Sequence, residues 1–339
     1  MKVYEMVTLQ DIAEKTGFSR AVVSRALNPH PDQKVASKTA EIIRQAAETM
    51  GYRRNQAASL LAKGASPAIG IFLPFSNDEL ICALHNGIFQ VANQYGFAYN
   101  IYNDKQKFEY EDFFNALKVS RNAGVITYLP FNLGGDALPE TLSKLLPLNC
   151  QVVVANAREI IHSGNVESVM LDNRYGGMLA AEHLMQRKCV RFIYEYAKKS
   201  WQREERCAGF VETLNAGGFK PQPFGRLFKE TLPDSINEIL NMILAGPFPV
   251  GVFCNTDLSA LKIYAELCRM GKASMLGKEI KLCGFDDIST AQAVGLTTID
   301  QPFEELGKAA MSMLANRLID ADIPVEKIIK PQLKIRLTT

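Results

Sequence analysis

The first apolar pattern along the chain has a helical period. Leu9, Ile12 and Ala13 share one face of a short helix, and Val22, Val23, Ala26 and Leu27 share one face of the next. Gly17 stands between them, able to take the left-handed backbone that ends a helix. Thr8 can cap the first run, with Asp11 near its positive end, and Ser19 can cap the second. The spacing predicts two helices joined by a tight turn, the shape of a helix-turn-helix. Arg20, Ala21, Ser24 and Arg25 are left on the outward face of the second helix. Two arginines with small residues between them suit the DNA major groove, where a guanidinium pairs bidentately with guanine. A third helix is expected over Ser37–Met50, with Ile42, Ile43, Ala46, Ala47 and Met50 inward.

The segment from Gly51 to Asn55 breaks this pattern, and Gln56–Lys63 is a helix former too short to be stable alone. Residues 1–50 therefore read as a head domain and 51–66 as a hinge helix or linker, leaving 67–339 as the body. From Ala68 short apolar runs alternate with longer amphipathic ones. Strands are expected at Ile69–Leu73, Ala98–Tyr102, Gly124–Leu129, Gln151–Asn156, Val190–Tyr196, Gly251–Cys254 and Ile280–Gly284. Helices are expected at Glu79–Tyr95, Tyr110–Asn122, Gly176–Gln186, Glu204–Ala216, Ser235–Ala245, Leu258–Met270 and Phe303–Ile319. This alternation implies parallel sheets with right-handed crossovers. A stretch of about 270 residues is long for one doubly wound sheet, so two lobes with a cleft between them are expected.

Charge supports the division. The net charge is only +2, but residues 1–64 hold ten basic and six acidic side chains, against 28 and 30 in the rest. A basic head on a slightly acidic body fits a nucleic-acid contact confined to one end. The seven cysteines are scattered without a CxxC pair, as expected of reduced thiols in a cytoplasmic protein. No signal peptide opens the sequence and no apolar run approaches a membrane span, so no membrane partner is expected. Enzyme chemistry finds little support. There is no GxGxxG after the first strand, no Walker loop and no GxSxG, and His30, His85, His162 and His183 lack metal-ligand spacing. No catalytic residue, no metal and no cofactor are predicted.

Taken in order, VTLQDIAEKTGFS (7–19), VVSRALN (22–28) and GYRRN (51–55) make the head resemble that of the lactose-repressor/galactose-repressor (LacI/GalR) family of bacterial transcription regulators. Further pieces extend the resemblance over essentially the whole chain: IGI at 69–71, DNRYGG at 172–177, RCAGF at 206–210, NTD at 255–257, GFDD at 284–287 and LTTIDQP at 296–302. The resemblance implies a small all-α helix-turn-helix head plus an α/β body, the latter a two-lobed, parallel-sheet, periplasmic-binding-protein-like (type I) effector domain. It also implies an allosteric homodimer acting, as a repressor, on a near-palindromic double-stranded operator in the bacterial cytoplasm and nucleoid. A transport-type solute-binding protein without a regulatory role would share such a body, but it would need an export signal in place of a DNA-binding head.

By the same resemblance Arg20 and Ala21 occupy the positions that chiefly read base edges, and Arg25 that of a further base contact. Thr8, Ser19, Ser24, Asn28, Thr39, Tyr52 and Asn55 match positions that grip phosphates and fix register. Leu61 matches a hinge leucine that wedges into the minor groove and kinks the duplex. The chain departs from the family in having Arg54 in place of a proline, a longer loop after Asn28, and Ala36 where a serine commonly caps the third helix.

The effector, by family habit a sugar or sugar derivative, is expected between the lobes at strand ends. Arg206 sits where the family places an arginine that bonds an effector hydroxyl or carboxylate, and Asp286 matches an acidic residue that holds sugar hydroxyls. Asn156, Thr256, Asp257 and Gln301 fall at strand ends or crossovers lining the same cleft. Asp257 reads equally as an N-cap for the helix that follows it. Phe75 and Trp201, the only tryptophan, are candidate apolar walls.

Overall fold

Apolar side chains alternate between two buried faces along the strands of the body, as sheets covered on both sides require. This computed structural model describes residues 7–27, 35–52, 66–74, 78–104, 122–128, 143, 145–148, 150–196, 200–225, 233–319 and 322–339. The head is made of α1 (Leu9–Thr16), α2 (Arg20–Leu27) and α3 (Ser37–Thr49). Their shared core is Ile12, Ala13, Val23, Ala26, Ala40, Ile43 and Ala47. Ile42, expected inward, is 45% exposed instead. The reason is angular: Ile43, Ala40 and Ala47 sit three or four residues apart and claim the inward stripe, which turns Ile42 to the side.

The N-terminal lobe begins with β1 (Ser66–Pro74), α4 (Glu79–Tyr95), β2 (Ala98–Asp104), β3 (Asn122–Tyr128), β4 (Gln151–Ala155), β5 (His162–Ser163) and β6 (Val166–Leu171). The C-terminal lobe follows with α5 (Asn173–Gln186), β7 (Arg191–Glu195), α6 (Trp201–Ala216), β8 (Gln222–Phe224), α7 (Pro233–Leu244) and β9 (Val250–Phe253). It continues through α8 (Asp257–Arg269), β10 (Ile280–Asp286), α9 (Ser289–Ala293) and β11 (Thr297–Asp300). The chain then returns to the first lobe as α10 (Phe303–Ile319) and β12 (Ile328–Ile329), and ends in the second with β13 (Gln332–Lys334).

Among the described residues the N-terminal sheet has the order β12-β6-β4-β3-β1-β2, with β5 added on β6, and the C-terminal sheet the order β13-β11-β10-β9-β7-β8. All pairings are parallel except β5 with β6 and β11 with β13. In each sheet the strand order reverses beside its first strand, β1 or β7. A crevice therefore opens at the carboxyl ends of the strands there. The two crevices face each other because the chain changes lobe after β6, after β11 and after β12.

Glycines let the covering helices approach closely. A Cβ on Gly87 of α4 would stand 2.0 Å from the Glu304 carbonyl oxygen of α10, and one on Gly177 of α5 2.0 Å from the Arg206 carbonyl oxygen of α6. The second contact matters most for function, because it sets where α6 carries Arg206.

Each strand expected from the sequence is present, with ends that agree to within two residues except at β1, which starts three residues earlier, at Ser66. Strands β6 and β11 are not visible as apolar runs. Glu167 interrupts β6, and its carboxylate accepts from Arg317 Nε at 2.8 Å. β11 opens on Thr297 and Thr298, whose hydroxyls meet Thr339 Oγ1 at 2.8 Å and Asp257 Oδ1 at 2.5 Å. Of the helix expected at Tyr110–Asn122 only Asn122 is described, and it opens β3. No helix among the described residues is long and apolar enough to cross a membrane.

Candidate functional site

Two surfaces carry the chemistry. In the head, Thr8 and Asp11 form a reciprocal cap: the Asp11 N–H donates to Thr8 Oγ1 at 3.3 Å, and the Thr8 N–H donates to Asp11 Oδ2 at 2.7 Å. Those bonds hold the Asp11 carboxyl below its ordinary value. Gly17 closes α1 at φ +74°, and the Val22 N–H donates to Ser19 Oγ at 3.4 Å across the first turn of α2. Arg20, Ala21 and Arg25 are exposed, and Arg25 Nε donates back to the Ala21 carbonyl at 3.1 Å. Thr8 and Ser19 are exposed, while Ser24, Thr39 and Tyr52 are half-buried, Tyr52 against the head's core. Ala36 gives α3 no side-chain cap. Asn28, Asn55 and Leu61 lie outside the described residues, as does most of the 51–66 segment.

In the body, the strand ends converge on Arg206, which reaches inward from the second turn of α6 and is 6% exposed. Its Nε donates to Asn173 Oδ1 at 2.9 Å, Nη1 to the Asn255 carbonyl at 2.7 Å and Nη2 to Gln301 Oε1 at 3.0 Å. The Phe285 ring centre lies 3.8 Å from its Cζ, giving the cation a π face. Nη1 is 3.6 Å from Asp286 Oδ1, and Gln301 Nε2 donates to that same oxygen at 2.5 Å. Burial raises the Asp286 carboxyl to about 8, although the Arg206 charge works the other way. Burial likewise pulls Arg206 down to about 10.

The facing wall comes from the N-terminal lobe. Asn156, at the end of β4 with φ +56°, donates from Nδ2 to Tyr128 Oη at 2.6 Å. The Tyr128 phenol is raised to about 12, first by burial, and the charges of Arg206, Asp78 and Asp286 reach it. Tyr128 is thus within electrostatic reach of the Arg206–Asp286 pair. Buried polar atoms without a hydrogen-bond partner include Asn156 Oδ1, Asn255 Oδ1 and, in the first turn of α6, Gln202 Nε2. Such atoms are costly to bury alone and are natural contact points for a polar ligand.

The structure joins Arg206, Asp286 and Gln301 in one network, and it ties Asn156 to Tyr128. It corrects Asp257. Both oxygens of that carboxylate face the lobe's interior, where Oδ1 accepts from Thr298 Oγ1 at 2.5 Å and Oδ2 from the Ile288 N–H at 3.0 Å. Nor is Asp257 the N-cap of α8; Thr256 is, accepting from the Ser259 N–H at 3.3 Å. Burial raises the Asp257 carboxyl to about 6. Trp201 is buried in the first turn of α6, and Phe75 lies outside the described residues. Asn173, Asn255, Tyr128, Gln202 and Glu195 were not singled out from the sequence. Glu195 supports the wall by accepting from the Asn255 N–H and from Ser259 Oγ, both at 2.9 Å. The available signal was a polar residue closing an apolar strand, as Tyr128 closes β3 and Glu195 closes β7.

These features define a class: a helix-turn-helix head joined to a two-lobed body of the periplasmic-binding-protein kind. Residues 8–55 match the family described as bacterial regulatory proteins, lacI family, and residues 181–339 match a periplasmic binding protein-like domain. The ribose operon repressor of Halalkalibacterium halodurans is 25% identical over 321 residues, covering 92% of this chain and 91% of its own. The HTH-type transcriptional regulator PtxS of Pseudomonas plecoglossicida is 26% identical, covering 98% of this chain and 96% of its own. Among solved structures, the lac repressor dimer bound to operator and an anti-inducer superposes with a TM-score of 0.66 at 22% identity, over 98% of this chain and 99% of its own. A CelR–cellobiose complex superposes with a TM-score of 0.65 at 20% identity, over 98% of this chain and all of its own. The chain thus joins a head that matches the lacI family of bacterial regulatory proteins to a periplasmic-binding-protein-like body, the organisation of the DNA-binding transcriptional regulators it is similar to.

Proposed function

We propose that this protein is a homodimeric repressor whose affinity for a near-palindromic operator is set by a sugar or sugar derivative held between its lobes. The carrying observation is the Arg206–Asp286–Gln301 network facing Tyr128 and Asn156. A buried arginine whose nitrogens already donate to Asn173, Asn255 and Gln301 suits a neutral, hydroxyl-rich ligand better than an anion. The ligand's hydroxyls would donate to Asn156 Oδ1 and accept from Gln202 Nε2, which lack partners. Thr256 and Trp201 belong to the same proposed contact set. Related proteins give the class support: one is a ribose operon repressor, and another was solved with cellobiose.

In the head, Arg20, Ala21 and Arg25 read base edges, while Thr8, Ser19, Ser24, Thr39 and Tyr52 hold phosphates. The domains of this reading are 1–50, 51–66 and 67–339. Ligand binding changes how the N-terminal lobes of a dimer face each other, and with that the spacing of the two heads. No reaction is catalysed on this reading, and the protein works in the bacterial cytoplasm at the nucleoid.

The test is a gel shift against fragments of the source genome, with and without a panel of sugars that includes D-ribose and cellobiose, read alongside Trp201 fluorescence. Sequence-specific shifts altered by one sugar class are expected. A protein that binds sugar but shifts no fragment in any ligand state is a solute-binding protein, and the proposal fails.

A further inference from the structure

One contact links the two lobes away from the network around Arg206. Ser289 opens α9 in the C-terminal lobe, and Glu79 opens α4 in the N-terminal lobe, 210 residues away in sequence. The Ser289 N–H donates to Glu79 Oε2 at 2.8 Å, and its hydroxyl donates to Oε1 at 2.7 Å. Both carboxylate oxygens are thereby engaged, and the two bonds hold the Glu79 carboxyl below its ordinary value.

Glu79 is not needed as a cap for its own helix. Asp78 does that, accepting from the Leu80 N–H at 2.9 Å. Ile288, which precedes α9, has no side-chain acceptor, so the first N–H of that helix finds its partner on the other lobe.

The turn that Glu79 grips is rigidly part of the C-terminal lobe. Asp286 and Asp287 both have positive φ, +126° and +58°, a region that L-residues rarely adopt and that the surroundings must enforce. Four contacts enforce it. Arg336 pairs with Asp287 at 2.7 Å, the Ile288 N–H donates to Asp257, Gln292 donates to the Asp287 carbonyl, and Gln301 donates to Asp286. This turn therefore carries the cleft carboxylate Asp286 at one end and Ser289 at the other. On the N-terminal side, α4 is locked to α10 by the backbone approach at Gly87. The lobes also meet at Arg158 and Glu205, but those side chains are partly exposed and 3.9 Å apart, a pair that contributes little.

We propose that Glu79 and Ser289 form an interlobe latch, which holds the cleft closed and passes any shift of the Asp286 turn to helix α4. The proposal deepens the reading of the cleft as a regulatory ligand site, but its test contains no ligand. A sugar panel that fails and a latch that fails are thus separate results.

The experiment is amide hydrogen exchange with small-angle X-ray scattering on the full-length protein and on Glu79→Ala, Glu79→Gln and Ser289→Ala. In Glu79→Ala the Ser289 amide is expected to exchange about tenfold faster, with faster exchange in the peptides containing Tyr128 and Asn255 and a larger radius of gyration. Glu79→Gln keeps one acceptor oxygen, and Ser289→Ala keeps the amide donor. Both should show the same pattern at smaller amplitude. Unchanged exchange at Ser289 overturns the contact. A rise confined to Ser289, with the cleft peptides and the scattering unchanged, reduces it to a surface cap and overturns the latch.

Discussion

The head and the cleft use arginine in opposite ways. Arg20 and Arg25 stand exposed on a helix whose own bonds span three or four residues, and any specificity they have is directed outward. Arg206 is buried, and its three nitrogens bind partners 33, 49 and 95 residues away. Removing an exposed arginine orphans no buried partner, whereas removing the buried one leaves Asn173 Oδ1, the Asn255 carbonyl and Gln301 Oε1 without their donor. The difference predicts that function and stability separate in the head but are coupled in the cleft.

The largest effect is expected from Arg206→Ala. Leaving buried acceptors without a donor costs on the order of 1–3 kcal/mol each. Thermal unfolding should show a marked fall in Tm together with loss of any sugar response in Trp201 fluorescence. Normal stability with normal response would break the comparison. Arg20→Ala is the converse. Operator affinity should fall by about 1–3 kcal/mol, roughly fivefold to 150-fold, with Tm unmoved. Fluorescence anisotropy on labelled operator, beside a melting curve, checks both halves.

Gly177→Ala sharpens the coupling within the cleft. The added methyl would meet the Arg206 carbonyl oxygen, so α5 and α6 must separate, at about 1–3 kcal/mol of overpacking. Sugar affinity should weaken with stability, although no ligand-facing side chain is altered. Thr8→Ala removes a cap from the head, and roughly 1 kcal/mol of local stability should be lost there. Hydrogen exchange in α1 would rise while body exchange stays constant.

The subtlest effect is a pH dependence. The folded-state value of Asp286 is about 8, well above an ordinary aspartate, so its stabilising contribution is full in acid and is lost as pH rises toward 8. Asp286→Asn cannot ionise. Its Tm relative to the natural protein should therefore climb between pH 5 and pH 8. A difference that is flat or falls over that range would show that the carboxylate is already ionised in acid.

Legibility followed the same division. In the head, the cap at Thr8, the turn at Gly17 and the outward arginines were readable, because each depends on neighbours within one or two helical turns. Only Ile42 misled, because Ala40, Ile43 and Ala47 claim the inward stripe of α3 and turn Ile42 to the side. In the cleft, Arg206 and Asp286 were reached through family resemblance, and Asn156 and Gln301 through their places at strand ends or crossovers. Their partners Asn173, Asn255 and Tyr128 were not. Asp257 looked like a ligand by its place at a strand end, yet the carboxylate points inward to Thr298 and Ile288. The sequence spacing says nothing about which way that side chain turns.

The sequence by itself determined the alternation of strands and helices and the basic, capped head, because periodicity, caps and turns are local properties of the chain. It also carried the residue types of the cleft. Only the tertiary structure decided which of those residues meet. The three crossings between lobes bring residues 128, 156, 206, 286 and 301 to one crevice, and they set Glu79 against Ser289 across 210 positions of chain. A hydrogen bond between groups so far apart depends on how two sheets face each other, and that orientation is fixed by the packing of the whole body.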